Sequence, residues 1–259
     1  MAIAPTSIAL LTDFGTRDYF VAAMKGVILS INPRAAIIDI THEIPPQDVE
    51  TGAFVLKAAY RWFPPGTIFV AVVDPGVGTE RAPLLLKTRR YFFVGPDNGL
   101  LAPAAEEDGV EGAYHITYKL PNVSKTFHGR DVFAPTAALL SLGVPPQALG
   151  HPVGQWRQLH LPAPQMGEVI TARVIYVDRF GNAYTNITQE PAKPGETLCI
   201  ETPTGVIKAR HVETYGRATP GETITLTNSE GYLEIAVAMG NAATAHNLKP
   251  GMEVKIRRC

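Results

Sequence analysis

The residues best suited to chemistry lie in short polar segments that follow apolar runs. In VVDPGVGTER (72–81) an apolar run ends at Asp74, and Arg81 follows seven residues later. Asp-Pro-Gly is ordinary turn chemistry, so Asp74 has a purely local explanation. The alternative is that Arg81 folds back and holds the Asp74 carboxylate fixed and ionised. In KTFHGRDVF (125–133) His128 precedes a helical stretch. The positive end of a helix dipole disfavours imidazolium, and a neutral ring is what a base or polar orienter requires. A structural histidine is the competing explanation. In TDFGTRD (12–18) Asp13 can hydrogen-bond the two hydroxyls of a ribose, or Asp13 or Thr16 can cap the next helix. In VDRFGNAYTNI (177–187) Asp178, Phe180 and Asn182 offer a carboxylate, a stacking ring and an amide, or else form a hairpin turn. Ser229 and Glu230 in TNSEGYLEIAVAMGNAA can meet a zwitterion or form a solvated turn. Asp97-Asn98-Gly99 in GPDNGLL is explained by a turn alone.

The elements that must position these groups follow from periodicity. Strands are expected over 7–14, 35–40, 67–74, 84–88 and 91–95, and helices over 18–31, 48–63 and 131–143, the last taking Pro135 in its first turns. This alternation predicts an α/β domain with a mostly parallel sheet. After Pro152 the pattern changes. A Pro/Gly-containing linker over 152–168 leads to GEVITARVIYVD, TLCIET, GVIKA, TITLTN, YLEIAVA and MEVKIR, short strands that predict an antiparallel sheet or barrel. The expected division is residues 1–165 and 166–259.

The totals exclude several classes. In 259 residues, 46% are hydrophobic and 18% charged, with a net charge of -1, so no basic face argues for nucleic acid or an anionic membrane. No apolar run reaches the roughly 18 residues of a membrane span. Two cysteines, one of them the final residue, give no expectation of a disulfide framework or zinc site and favour a reducing, cytoplasmic setting. The seven histidines show no metal-ligand spacing, and no dinucleotide or nucleoside-triphosphate loop is present.

Taken in order, LLTDFG, THEIPPQDV, VVDPGVG, GPDNGLL, TFHGRDVF, DRFGNAYTNI and NSEGYLEIAVAMGNAA resemble the S-adenosylmethionine (SAM) hydroxide adenosyltransferases, relatives of the fluorinase and chlorinase. The resemblance runs over nearly the whole chain. It implies an N-terminal α/β domain, a C-terminal β-barrel, a homotrimer, and hydrolysis of SAM to adenosine and L-methionine. SAM is then the substrate, and no separate cofactor is implied. The substrate would lie between the N-terminal domain of one subunit and the C-terminal domain of its neighbour. By resemblance the catalytic set falls on Asp74, Arg81 and His128. Asp13 falls on the ribose ligand, Asp178 and Ser229 on groups at the methionine amino end with Glu230 adjacent, and Phe180 and Asn182 on adenine contacts. The backbone from Val237 to Met239 falls on another adenine edge, and Asp18 on an acidic position of the family. The halide-using branch has a non-acidic residue in place of Asp74, and fluorinases carry an insertion that is absent between Glu80 and Tyr91. An anionic Asp74 repels halide and favours water. The alternatives are a halide-dependent adenosyl transferase, a non-catalytic SAM or adenosine binder, and a generic sugar- or nucleotide-binding α/β protein.

Overall fold

A computed structural model describes residues 7–160 and 162–259. Leu161, inside the expected linker, lies outside the described residues. The chain divides into two compact units, Met1–His160 and Leu161–Cys259.

The first unit is a seven-stranded sheet with helices on both faces. Its elements are β1 (Ser7–Thr12), α1 (Phe20–Ile31), β2 (Ala36–Thr41), α2 (Val49–Ala59), β3 (Ile68–Val72), β4 (Pro83–Thr88), β5 (Phe92–Pro96), α3 (Ala102–Asp108), β6 (Val110–Ile116), α4 (Ala134–Ser141), α5 (Pro146–Leu149) and β7 (Gly150–Pro152). The strand order is β2-β1-β3-β5-β4-β6-β7. The β1–β2, β1–β3 and β3–β5 pairings are parallel and the remaining three antiparallel, so five of the seven strands share one direction. Strand β3 is buried along its whole length because both faces are covered, which is why IFVAV is apolar without alternation. Its residues part by parity. Ile68, Val70 and Val72 join Met24 and Ile28 of α1 and Ala137 of α4 in one core. Phe69 and Ala71, with Val73 just past the strand, join Ala53 and Leu56 of α2 and Ala104 of α3 in the other.

Helix α1 turns Val21, Met24 and Ile28 inward at helical spacing. Helix α2 is started by Asp48, whose carboxylate accepts the Thr51 N–H at 2.9 Å. The expected helix over 131–143 begins with a π-helical turn, Gly129–Phe133, and Pro135 falls in the first turn of α4, where its missing N–H is harmless. The first strand is shorter than expected, ending at Thr12, and β3 ends before Asp74. Periodicity did not reveal α3, β6, α5 or β7.

The second unit is a closed seven-stranded barrel. Its elements are β8 (Ile170–Val177), β9 (Ala183–Thr185), β10 (Thr197–Thr202), β11 (Gly205–His211), β12 (Thr223–Thr227), β13 (Leu233–Val237), α6 (Ala242–His246) and β14 (Glu253–Arg258). The order is β10-β11-β12-β13-β9-β8-β14, closed by β14 pairing with β10. All pairings are antiparallel except the short β11–β12 contact. Strand β9, three residues long, is the one that turn-rich sequence concealed. The cysteine expectation is corrected here: Cys199 on β10 and Cys259 after β14 form a disulfide, Cα–Cα 5.2 Å. Sixty residues apart in sequence, they become neighbours only through barrel closure, and the low cysteine count therefore carries no inference about redox compartment. No helix among the described residues is long and apolar enough to cross a membrane.

Candidate functional site

Strand order places the polar segments. The chain passes from β1 outward to β2 and returns to β3 on the other side of β1, so the carboxyl ends of β1 and β3 flank a topological switch point, where open α/β sheets bind ligands. Thr12 and Val72 are register partners. Asp13 and Asp74 therefore follow adjacent parallel strands at the same sheet edge.

Asp74 begins a turn closed by Val77 N–H to the Asp74 carbonyl, 3.3 Å, and a second turn follows, Thr79 N–H to Gly76 O, 3.2 Å. Two turns in succession bring Arg81 back. Its Nε donates to Asp74 Oδ1 at 3.1 Å and its Nη2 donates to Oδ2, a bidentate pair. The side chains are 5% (Asp74) and 8% (Arg81) exposed. Nη2 also lies 3.2 Å from His128 Nδ1, and the guanidinium sits 5.6 Å from the Phe133 ring centre. Nη1 of Arg81 is buried and has no hydrogen-bond partner among the described residues. Gly78 makes the meeting of the two loops possible. Its φ is +78°, and a Cβ there would stand 2.6 Å from the Lys125 carbonyl. Burial, and then the Arg81 charge, lower the His128 pKa below its usual 6.5, which favours the neutral ring at pH 7.

The turn explanation for Asp97-Asn98-Gly99 is correct and incomplete. Asn98 Nδ2 donates to the Val73 carbonyl at 2.8 Å, clamping the residue before Asp74. Asp13 does not cap α1, whose N-cap is Tyr19, with no side-chain hydrogen bond. Its Oδ2 instead accepts the Gln47 N–H at 2.8 Å. Asp18 is exposed in the turn before α1.

In the second unit a cavity of about 770 Å³ is lined by Asp178, Phe180, Asn182, Tyr215, Val237 and Met239 among others. Five of these were singled out by sequence. Asp178 organises its turn: Oδ1 accepts the N–H groups of Phe180 and Asn182, both at 2.9 Å, and Oδ2 accepts Asn182 Nδ2 at 3.1 Å and Tyr184 O–H at 3.4 Å. Gly181 is required there, with φ +84° and a Cβ position 2.1 Å from the Asn241 side chain. The turn leaves Phe180 75% exposed, and Met239, at φ 54°, is 93% exposed. Ser229 and Glu230 do not line this cavity; they sit in the turn after β12, whose Asn228 Oδ1 accepts the Glu230 and Tyr232 N–H groups, both at 3.0 Å.

Sequence reasoning missed Glu234 and Tyr215. Glu234 lies on β13 with no exposure. Leu233, Ile235 and Val237 face the barrel core, and Glu234 takes the opposite face, where Tyr215 O–H donates to its Oε1. Burial raises its carboxyl above the ordinary 4.5; the Tyr215 hydrogen bond opposes this and the Asp178 charge adds to it. Alternation alone made Glu234 look like a solvent-facing strand residue, because the covering segment, 212–222, carries no periodic signal.

A strand-end carboxylate gripped by arginine beside an imidazole in the first unit, and an aromatic-walled cavity on the barrel of the second, define a two-unit α/β and β-barrel protein. The chain belongs to the SAM hydroxide adenosyltransferase family: the N-terminal domain model of that family matches residues 8–150 and its C-terminal domain model residues 172–255. It is 39% identical over 263 residues to a protein of Salinispora tropica named (R)-S-adenosyl-L-methionine hydrolase, covering 98% of this chain and 99% of that one. A protein of the same name from Thermus thermophilus is 37% identical over 96% of this chain and 98% of its own. A fluorinase of an Actinoplanes species is more distant, at 30% over 97% of each. A crystal structure of an uncharacterized conserved protein from Thermotoga maritima superposes with a TM-score of 0.91 at 38% identity, covering 96% of this chain and 99% of that one.

Proposed function

We propose that the protein hydrolyses SAM to adenosine and L-methionine by attack of water at ribose C5′. The observation that carries this is the Asp74–Arg81–His128 cluster: an anionic, arginine-locked group where a halide enzyme needs an uncharged one. The water oxygen bonds to C5′ as the C5′–S bond breaks, its electron pair neutralising the sulfonium. The neutral thioether leaves without protonation, so no general acid is needed. One water proton must be lost. Asp74 and His128 orient the water, that proton passing to one of the two, and Arg81 holds Asp74 in place. Because positive charge on sulfur disappears in the transition state, strong anionic contacts at sulfur would stabilise the ground state more; the main tasks are positioning one water about 3 Å from C5′ and excluding others.

In this account Asp13 binds the ribose hydroxyls, with Asp18 nearby. Phe180, Asn182 and the Val237–Met239 backbone hold adenine. Asp178 and Ser229 hold the methionine amino end with Glu230 adjacent, Asp178 exchanging its long 3.4 Å contact with Tyr184 for the ammonium. SAM acts as substrate with no added cofactor. The protein works as a homotrimer in which the N-terminal unit of one subunit meets the C-terminal unit of the next, supported by the exposed Phe180 and Met239 beside the cavity. A cytoplasmic location suits a SAM-consuming enzyme. Purified protein incubated with SAM in chloride and in fluoride should give adenosine and methionine in both. A 5′-halo-adenosine would establish the halide alternative, and SAM binding without turnover the non-catalytic one.

A further inference from the structure

The segment THEIPPQDV (41–49) carries no role in the mechanism above, yet it contains a buried histidine in a connected polar chain. The His42 side chain is 2% exposed. Its Nδ1 is 2.8 Å from Thr12 Oγ1, and its Nε2 is 3.0 Å from Asp39 Oδ1, off-axis for a hydrogen bond. Asp39 Oδ2 accepts from Lys25 Nζ at 2.6 Å. Burial alone would raise the Asp39 pKa, but Lys25 and His42 outweigh it and lower it. The order Thr-His-Asp imitates a hydrolytic triad. Thr12 is no nucleophile, however, because it is fully buried and its hydroxyl oxygen already accepts the Phe14 N–H at 3.2 Å.

The tautomer follows from the partners. A carboxylate at Nε2 favours the proton there, which leaves Nδ1 as an acceptor for the Thr12 hydroxyl proton. Thr12 oxygen then has lone pairs for Phe14. The same histidine holds the next residue through its backbone: Gly15 N–H donates to His42 O at 2.7 Å. The far end of the segment reaches Asp13, through the Gln47 N–H, and Gln47 sits at φ 67°, an uncommon conformation for a residue with a side chain. Thr12, Phe14 and Gly15 are thus tied to His42, and the Asp13 carboxylate to Gln47.

We propose that His42 is a positioning residue which, by accepting the Thr12 hydroxyl proton, fixes the 12–15 turn so that Asp13 presents its carboxylate to the two hydroxyls of a ribose. This rests on Asp13 being the ribose ligand, and the test separates the two. Inhibition of the full-length enzyme by adenosine and by 2′-deoxyadenosine measures hydroxyl recognition directly. Hydrogen bonds to a charged acceptor predict that wild type prefers adenosine by about tenfold or more. His42→Ala brings that ratio close to one and raises KM for SAM about tenfold, with kcat within about twofold. His42→Asn places an amide oxygen where Nδ1 stood and restores the preference; His42→Gln, which reaches toward Asp39 instead, does not. Thr12→Val reproduces the loss at nearly constant volume, and decides the matter if His42→Ala does not fold. A retained preference in a folded His42→Ala or Thr12→Val protein, or rescue by Gln equal to that by Asn, overturns the proposal. Wild type that hydrolyses no SAM yet prefers adenosine refutes the hydrolase function while leaving this test intact.

Discussion

Replacing Asp74 with asparagine separates its chemical role from its structural one. The side chain keeps its volume and one oxygen, but its new NH₂ faces Arg81 Nη2, donor against donor, where the carboxylate now accepts. Both side chains are nine-tenths buried or more. Removing one partner of a buried ion pair costs about 3–5 kcal/mol, because the remaining charge loses its compensation. For a protein of this size that corresponds to a fall in Tm of about 6–20 °C. Loss of base assistance lowers kcat by about 10²–10⁴, or about 2.7–5.4 kcal/mol in barrier height. The two effects are separable. Asp74→Asn/Arg81→Gln removes the orphaned charge and should recover most of the Tm while recovering no activity. Adenosine release measured by chromatography at saturating SAM, alongside thermal unfolding, reads both. Asp74→Asn with kcat within threefold of wild type, or the double variant regaining activity together with stability, would refute the assignment.

The remaining predictions address the groups around this pair. Because burial and Arg81 depress the His128 pKa below 6.5, kcat/KM should hold through pH 6.5 and decline only as the ring protonates at lower pH, and His128→Asn should lose activity and that acid limb. The same shift has a stability sign: the unfolded chain binds the proton first, so stability falls as pH drops through the window below 6.5, and the urea midpoint should follow it. For Glu234 the sign is opposite, since a raised carboxyl pKa gives stability below the ordinary 4.5 that is lost as pH rises through the folded value. Glu234→Gln should flatten that slope in a denaturation series, and Glu234→Leu, which strands the Tyr215 hydroxyl, should lower stability by about 1–3 kcal/mol. Gly181→Ala forces a Cβ into Asn241 at positive φ and should cost at least about 1 kcal/mol while raising KM for SAM, as adenosine release at graded SAM would record.

What the sequence revealed depends on how local its signal was. Helices α1 and α2 were legible because one-sided burial imposes a period on them, strand β3 because burial on both faces makes it a continuous apolar run, and Pro64-Pro65-Gly66 marks where helical structure must stop. Asp74 was legible as a turn residue and its pairing with Arg81 as the alternative; what no pattern encodes is the two consecutive turns that bring Arg81 back. Asn98 looked like turn chemistry alone, since its second task, holding the Val73 carbonyl, crosses from β5 to β3. Strand β6 and the edge strand β7 were invisible because VEGAYHI and GHP alternate weakly and lie toward one margin of the sheet. The Cys199–Cys259 bond and the burial of Glu234 arise from barrel closure and from a covering segment, which are long-range facts. Phe180, Asn182 and Met239 line one cavity because a short turn and a strand end bring them together.

Attack of water on C5′ is tested most directly by hydrolysing SAM in ¹⁸O-enriched water and weighing the products. The account predicts one heavy oxygen in the 5′-hydroxyl of adenosine and none in methionine. Adenosine without label, or label in methionine, would contradict it.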